Sequence, residues 1–334
     1  MKKNLVNLTA LIAGAVVSLL IAEICFRTFC LLRYDRALKR VSHELFFVDK
    51  TKDYVLKMRP NTSRTNKTFG GSDQSWEYKI NEYGFRGDPF DFNRKSFRIV
   101  FLGDSYTFGW AISDEDVHPR KVEEILQAER NKDVSVFNLG VPGYSTVTEA
   151  ALLRDWIDDL KPDLVVLDYV MNDAELQNNV PEKPELIYRG QLFWLLDFFM
   201  EQLKTFSRET FGKKKNYSYL EGFEPKSWKW RASKEALRDI SALCAERGIP
   251  LMVFILPDVT QRIGDFYGLR LIHEAVKQWG AELEVPTYDL LPYFDGKNHE
   301  DYWVPGDGHP NAKANQIFAE VMADKIMPFI RDSA

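Results

Sequence analysis

The feature that most constrains this chain is a series of short β-runs that are apolar along their whole length and alternate with helical stretches. "RIVFL" (Arg98–Leu102), "VSVFNL" (Val134–Leu139), "DLVVLDY" (Asp163–Tyr169), "PLMVFIL" (Pro250–Leu256) and "VPTYDL" (Val285–Leu290) are interleaved with helix-like segments near 116–130, 146–160, 233–247, 267–280 and 312–327. A strand with one wet face alternates polar and apolar residues. One that does not is covered on both sides, as in parallel sheets joined by helical crossovers. The expectation is a doubly wound α/β sandwich. Ser113 with Asp116 reads as a capping box ahead of "VHPRKVEEIL", and Asn311 as the cap of "AKANQIFAEVMADKI".

Before the first β-run the chain has a different character. "LVNLTALIAGAVVSLLIA" runs from Leu5 to Ala22 without a charge and continues past Glu23 to Phe26. That length spans a bilayer and exceeds a usual signal-peptide core, and no small-x-small cleavage site follows. Residues 1–30 are therefore expected to be an uncleaved single-pass anchor. Lys2 and Lys3 precede the run while Arg27, Arg33, Arg36, Lys39 and Arg40 follow it, so the charge count alone puts the body in the cytoplasm. Residues 31–96 read as a stalk and small β-rich lead-in, with "RPNTSRTNKTFGGSD" as loop and "WEYKINEYGFRG" as a short hairpin. The main domain is expected over 97–334, with an insertion at about 180–232.

Within the insertion, Asp197, Glu201, Lys204 and Arg208 would form one narrow polar stripe on a helix over 192–208, leaving the rest apolar. Such a helix packs on its own domain, on a second copy, or in a membrane interface. The basic and aromatic "GKKK" (Gly212–Lys215) and "WKWR" (Trp228–Arg231) after it suit the last. The net charge of −5 gives no basic footprint for nucleic acid. Cys25, Cys30 and Cys244 make neither a disulfide framework nor a zinc cluster. With no glycine-rich phosphate loop either, no cofactor and no metal is expected. The acidic turn Ser113–His118 reads as the solvated start of a helix.

In an open parallel sheet, ligands bind beyond the carboxyl ends of the strands. Four stretches there carry chemistry: Gly103-Asp104-Ser105, "NLGVPGYST" with Asn138, Gly140 and Gly143, Asn172-Asp173, and "DGHPN" with Asp307 and His309. Together they supply the parts of acyl transfer. Ser105 at a strand-to-helix turn is a candidate nucleophile, His309 its base, and Asp307 the group that orients the base. The Ser105 N–H, the Gly143 backbone and the Asn172 amide are candidate oxyanion donors. Asp104 is expected to hold the turn through its side chain. His43, His118, His273 and His299 read as surface or packing residues.

Ser105 in "GDSYTFG", Gly143 in "NLGVPG", Asn172 in "MND" and His309 in "DGHPN" resemble, in order, the four blocks of the SGNH, or GDSL-type, hydrolase superfamily. The resemblance covers roughly Phe97 to Met327 and implies a flavodoxin-like three-layer fold with the site roles just given. Two positions depart from the pattern. Val170 stands where the third block usually has glycine, and the last block is Asp-x-His rather than Asp-x-x-His, which leaves Asp301 open as an alternative acid. The shorter spacing is similar to membrane-associated members that handle acyl groups on exported polysaccharides, which implies an extracytoplasmic body. The resemblance implies a membrane-anchored serine esterase acting on an acylated, most simply acetylated, small molecule or glycan. An O-acyltransferase of exported glycans with the same triad and a non-catalytic glycan-binding member stay open, as does the oligomeric state.

Overall fold

The computed structural model describes residues 2–332 except 42–44, 55, 68–74, 93–95, 131–132, 175–183, 185–187, 189–190, 201–202, 204–218, 225–226 and 265–266. The N-terminal run forms one long helix, α1 (Lys2–Val41), which extends beyond the expected anchor. Its stretch Ala10–Leu38 is long and apolar enough to cross a membrane, a property that signal sequences share.

Two small antiparallel pairs follow, β1 (Phe46–Val48) with β2 (Leu56–Met58) and β3 (Thr62–Lys67) with β4 (Ser75–Ile80). Sequence reading left residues 62–67 as loop, yet they form a full strand. Threonine at positions 62 and 65 favours extended backbone, and β4 supplies the apolar side of the pair. In β4, Trp76, Tyr78 and Ile80 alternate inward and are buried, so one face of the hairpin becomes core. "WEYKINEYGFRG" is accordingly not a hairpin by itself: its first half pairs backwards with β3, and only an Ile80–Arg86 bridge closes its second half.

The main body is a five-stranded parallel sheet in the order β6 (Val134–Gly140), β5 (Phe97–Gly103), β7 (Leu164–Tyr169), β8 (Leu251–Ile255), β9 (Thr287–Asp289). Numbered within the sheet this is 2-1-3-4-5, the flavodoxin-like order. All five expected strands are present. Successive residues point to opposite faces, and each face has its own core. Val100 and Leu102 of β5 join Val165, Leu167, Val253 and Ile255 on one side. Ile99 and Phe101 join Val166, Met252 and Phe254 on the other. A fully buried Leu or Phe side chain contributes roughly 1.5–3 kcal/mol, so this double covering is the main source of stability.

The helices follow the same division. Apolar residues of α4 (Thr146–Leu160), α5 (Trp228–Glu246) and α6 (Arg270–Glu282) pack into the first core, while those of α3 (His118–Arg130) and α7 (Ala312–Asp332) pack into the second. The lead-in's Trp76, Tyr78, Ile80 and Phe85 belong to the first core too. Asn311 caps α7 as expected, its Oδ1 accepting from the N–H of Lys313 (3.0 Å) and Ala314 (3.2 Å). The expected Ser113 capping box does not form: Ser113 precedes a single 3-10 turn, Asp114–Asp116, without a side-chain cap bond, and α3 begins at His118.

Candidate active site

Strand β5 ends at Gly103 and the chain turns at once into the four-residue helix α2 (Ser105–Phe108). Asp104 is its N-cap, with Oδ1 accepting the Tyr106 N–H at 2.8 Å. Gly109 ends it in the left-handed conformation, φ 82°, where a side chain would also strike Val117. The turn is pressed against the neighbouring strand. A Cβ on Gly140 would lie 2.3 Å from the Phe108 nitrogen, so only glycine allows this approach. Asn138 ties the two together, its Nδ2 donating to the Thr107 carbonyl at 2.9 Å.

This turn sets Ser105 on the sheet's carboxyl edge, where the loop carrying "DGHPN" returns. Ser105 Oγ lies 2.9 Å from His309 Nε2, and His309 Nδ1 lies 2.5 Å from Asp307 Oδ1. A carboxylate only accepts, so Nδ1 carries the proton and Nε2 is left to accept from the serine hydroxyl. Asp301 has no part in this chain: it ends a separate 3-10 turn (His299–Asp301), where its backbone carbonyl accepts from Asn311. Burial pushes the Asp307 carboxyl up, but the hydrogen bond and charge of His309, with smaller help from the His309 N–H and Trp110, hold it below the usual carboxylate value. His309 keeps an open side, its side chain 26% exposed, so solvent or substrate can reach it.

Asn172 follows β7 on the same edge, and its Nδ2 donates to Asp104 Oδ2 at 2.9 Å. One of its two N–H groups is thus used to fix the side chain. Burial raises the pKa of Asp104 against the opposing pull of the Tyr106 N–H, Asn172, His309 and the Ser105 N–H. Gly143, φ 84°, lies in the loop after β6, three residues past Gly140, which pairs with Gly103 in the sheet. Ser105, His309, Asp307 and Asn172 are linked by hydrogen bonds directly or through Asp104. Gly143 shares the edge but is placed only by its strand. Val170, the family's usual glycine, is buried in the second core and donates its N–H to Asp173 at 2.7 Å, a packing position as expected.

Three supports of this edge carry no local sequence signal. Trp110 donates its indole N–H to Asp307 Oδ2 at 3.2 Å, and its ring packs near both His309 and Trp76. Arg86, from the lead-in, is 2% exposed and donates to the carbonyls of Phe108 (2.8 Å), Gly109 (2.5 Å) and Ile112 (2.7 Å). It clamps the segment just after the Ser105 helix and pairs with Asp114 at 2.6 Å. The third is a buried cluster of His118, Asp168, Thr107 and Asn315, in which Asp168 Oδ2 meets His118 Nε2 (2.8 Å) and the Thr107 hydroxyl (2.7 Å). His118, read as a surface or packing residue at the end of a solvated acidic turn, is wholly buried and so a packing residue. His43 lies outside the described residues.

Sheet order and edge chemistry together define the class, a three-layer α/β hydrolase with its polar edge at a topological switch point. The chain belongs, more narrowly, to the GDSL-like Lipase/Acylhydrolase family, whose sequence model matches residues 101–317. The resemblance carried by the four sequence blocks is thereby borne out, and acyl esters are the substrate class of the family. Among solved structures, the psychrotrophic esterase EstA from Pseudoalteromonas sp. is 14% identical, covering 71% of this chain and 100% of its own, at a TM-score of 0.43. A lipase/acylhydrolase from Enterococcus faecalis is 18% identical over 69% of this chain and 95% of its own, at 0.43. CEX, a two-domain esterase active on acetylated mannans, is 13% identical over 70% of this chain and 50% of its own, at 0.43. Identities this low carry no substrate across. No curated protein matches the chain.

Proposed function

We propose that this protein is a membrane-anchored serine esterase that removes short acyl groups, acetyl foremost, from a small molecule or glycan through an acyl-enzyme on Ser105. The observation that carries the reading is the hydrogen-bonded series Ser105 Oγ, His309 Nε2 and Nδ1, Asp307 Oδ1, with steps of 2.9 and 2.5 Å. His309 Nε2 takes the hydroxyl proton as Ser105 Oγ attacks the ester carbonyl, and Asp307 stabilises the imidazolium without taking its proton. The tetrahedral oxyanion draws on the Asn172 amide, with the Gly143 and Ser105 backbone N–H groups as further donors. Collapse expels the alcohol, which receives the proton from His309. Water, deprotonated by the same nitrogen, then attacks the acyl-enzyme, releasing the carboxylic acid and restoring Ser105.

Incubation with a fluorophosphonate probe tests the reading: it should label the wild-type chain and not Ser105→Ala, and wild type alone should hydrolyse p-nitrophenyl acetate. Absence of labelling in folded protein would favour a non-catalytic glycan-binding role. Adding sugar hydroxyls to the assay separates esterase from O-acyltransferase, because a transferase forms an acylated sugar at the expense of free acetate.

The apolar helix α1 supports a single-pass anchor, and the Asp-x-His spacing, similar to that of members acting on exported polysaccharides, favours a body outside the cytoplasm. Protease added to sealed spheroplasts should digest the body. Protection would return it to the cytoplasm, as the flanking charge count has it.

A further inference from the structure

Glu23 interrupts the apolar run of α1, yet its side chain is 8% exposed, and it has a defined task. Its two carboxylate oxygens accept the backbone N–H groups of Trp194 (2.8 Å) and Leu195 (2.9 Å), at the start of the helical residues 194–200. These are the first N–H groups of that segment, which have no partner within it. One helical turn further along α1, Arg27 bonds Glu23 at 2.8 Å, donates to the Leu192 carbonyl at 2.9 Å and lies over the Trp194 ring at 4.6 Å. Phe26 packs on Phe198 at 5.1 Å between ring centroids. The inserted segment is therefore bonded to the anchor helix on one side.

Its other side is bare. Leu192, Phe193, Leu196, Phe199, Met200 and Leu203 are all exposed, Leu192 by 76%. Successive members are one or three residues apart, the spacing of one helix face. Six large apolar side chains in a continuous row are not an ordinary wet surface. The row also adjoins the bare surface of α1, because Leu192 is the residue whose carbonyl Arg27 holds.

We propose that residues 192–200 with Leu203 and α1 form one apolar platform seated on a lipid bilayer, with Glu23 as the fastening between them. This rests on the anchored reading of α1. With the crossing taken by the 18 uncharged residues Leu5–Ala22, about 27 Å as helix and close to the hydrocarbon thickness, Glu23 lies at its edge within the longer apolar stretch Ala10–Leu38. The bare face of Leu192, Phe193, Leu196, Phe199, Met200 and Leu203 then lies at the boundary of acyl chains and headgroups, where an amphipathic helix binds. "WKWR" takes no part, because Trp230 is buried against Phe223 and Trp228 stacks on Tyr188, whereas "GKKK" lies outside the described residues. Fastened in this way, the catalytic edge keeps a set height over the membrane rather than swinging on a tether.

The test uses the full chain with its three cysteines replaced, carrying one NBD-labelled cysteine at a time and reconstituted in phosphatidylcholine–phosphatidylglycerol vesicles. Brominated acyl chains should quench labels at Val17→Cys and Phe199→Cys by at least twofold, and leave Glu274→Cys on α6 unchanged. Glu23→Ala should weaken quenching at position 199 and not at 17. A quenched label at 17 with one at 199 that is quenched only by aqueous iodide overturns the platform and keeps the anchor. A label at 199 shielded from both quenchers means that a second copy covers the face, which also overturns the proposal. An unquenched label at 17 removes the anchor and the platform together. Equal quenching at 199 with and without Glu23 removes its role as fastening.

Discussion

Two histidine–aspartate pairs of this molecule are alike in contact and opposite in use. His309 and Asp307 meet at 2.5 Å on the open carboxyl edge, and His118 and Asp168 meet at 2.8 Å in the interior. The difference lies at the far ring nitrogen. His309 Nε2 faces a hydroxyl, Ser105 Oγ, and can accept its proton. His118 Nδ1 faces Asn315 Oδ1, 2.9 Å away, and the Asn315 amide is oriented by donating Nδ2 to the carbonyls of Pro310 and Asn311. That nitrogen must donate. With Asp168 at Nε2, a proton is shared inside the pair and no lone pair is left to act as a base. The inner pair instead connects three elements that the outer site needs: Thr107 on α2, Asp168 on β7 and Asn315 at the start of α7, just after the His309 loop. In the proposed mechanism a histidine–aspartate contact is thus fitted to act as a base by its third partner and its access to solvent.

The sharpest way to break this contrast is to remove the hydroxyl. Ser105→Ala should lower turnover of a short-chain ester by on the order of 10⁵ without shifting the melting temperature. Retained turnover would end the assignment of the outer pair. Next in size, Asn172→Ala should cost roughly 10²–10³ in kcat with a smaller change in KM, because its amide bond strengthens as charge develops. A change confined to KM would make Asn172 a binding residue.

His118→Ala should do the reverse. By leaving Asp168 in the core with the Thr107 hydroxyl but without its histidine partner, it should cost about 3–5 kcal/mol of stability, seen in urea unfolding, while kcat per folded molecule stays within a few-fold of wild type. Loss of kcat at unchanged stability would erase the distinction between the pairs. Trp110→Phe removes one donor to Asp307 and should lower kcat roughly two- to tenfold with KM almost unchanged.

The smallest effect is one of pH. The folded pKa of Asp307 is lowered, so the stabilisation it supplies is full above the unfolded value of about 3.9 and is lost as pH falls through the folded one. Melting curves of wild type and Asp307→Asn should converge on acidification below about pH 4. A gap that stays constant there would mean that the His309 contact does not stabilise the carboxylate.

Much of the architecture was legible along the chain because its signals are local. Strands covered on both faces are apolar at successive positions, and Asn311 announces the start of α7 by its own side chain. The site was legible as order, with polar residues directly after three strands and a late Asp-x-His. The strand Thr62–Lys67 was missed because most of its residues are polar and it is defined by its pairing with β4. The box at Ser113 was misread because a matching spacing does not decide whether a helix continues from it.

Sequence by itself determined the five-stranded doubly covered sheet, the nucleophile's place at a strand end and the long apolar first helix, since each is written in the periodicity of neighbouring residues. Only the tertiary structure brought His309, the base expected from the sequence, to within 2.9 Å of the Ser105 hydroxyl. Among the described residues it holds three histidine–aspartate contacts, the third between His273 and Asp289 at 2.7 Å, and the contact itself does not tell what the outer nitrogen of each pair will meet. It also decided that Arg86 clamps the nucleophile turn and that Glu23 caps a segment 171 residues away. Such partners are joined by burial, which makes an unpaired charge or N–H costly and so selects contacts between residues remote in the chain.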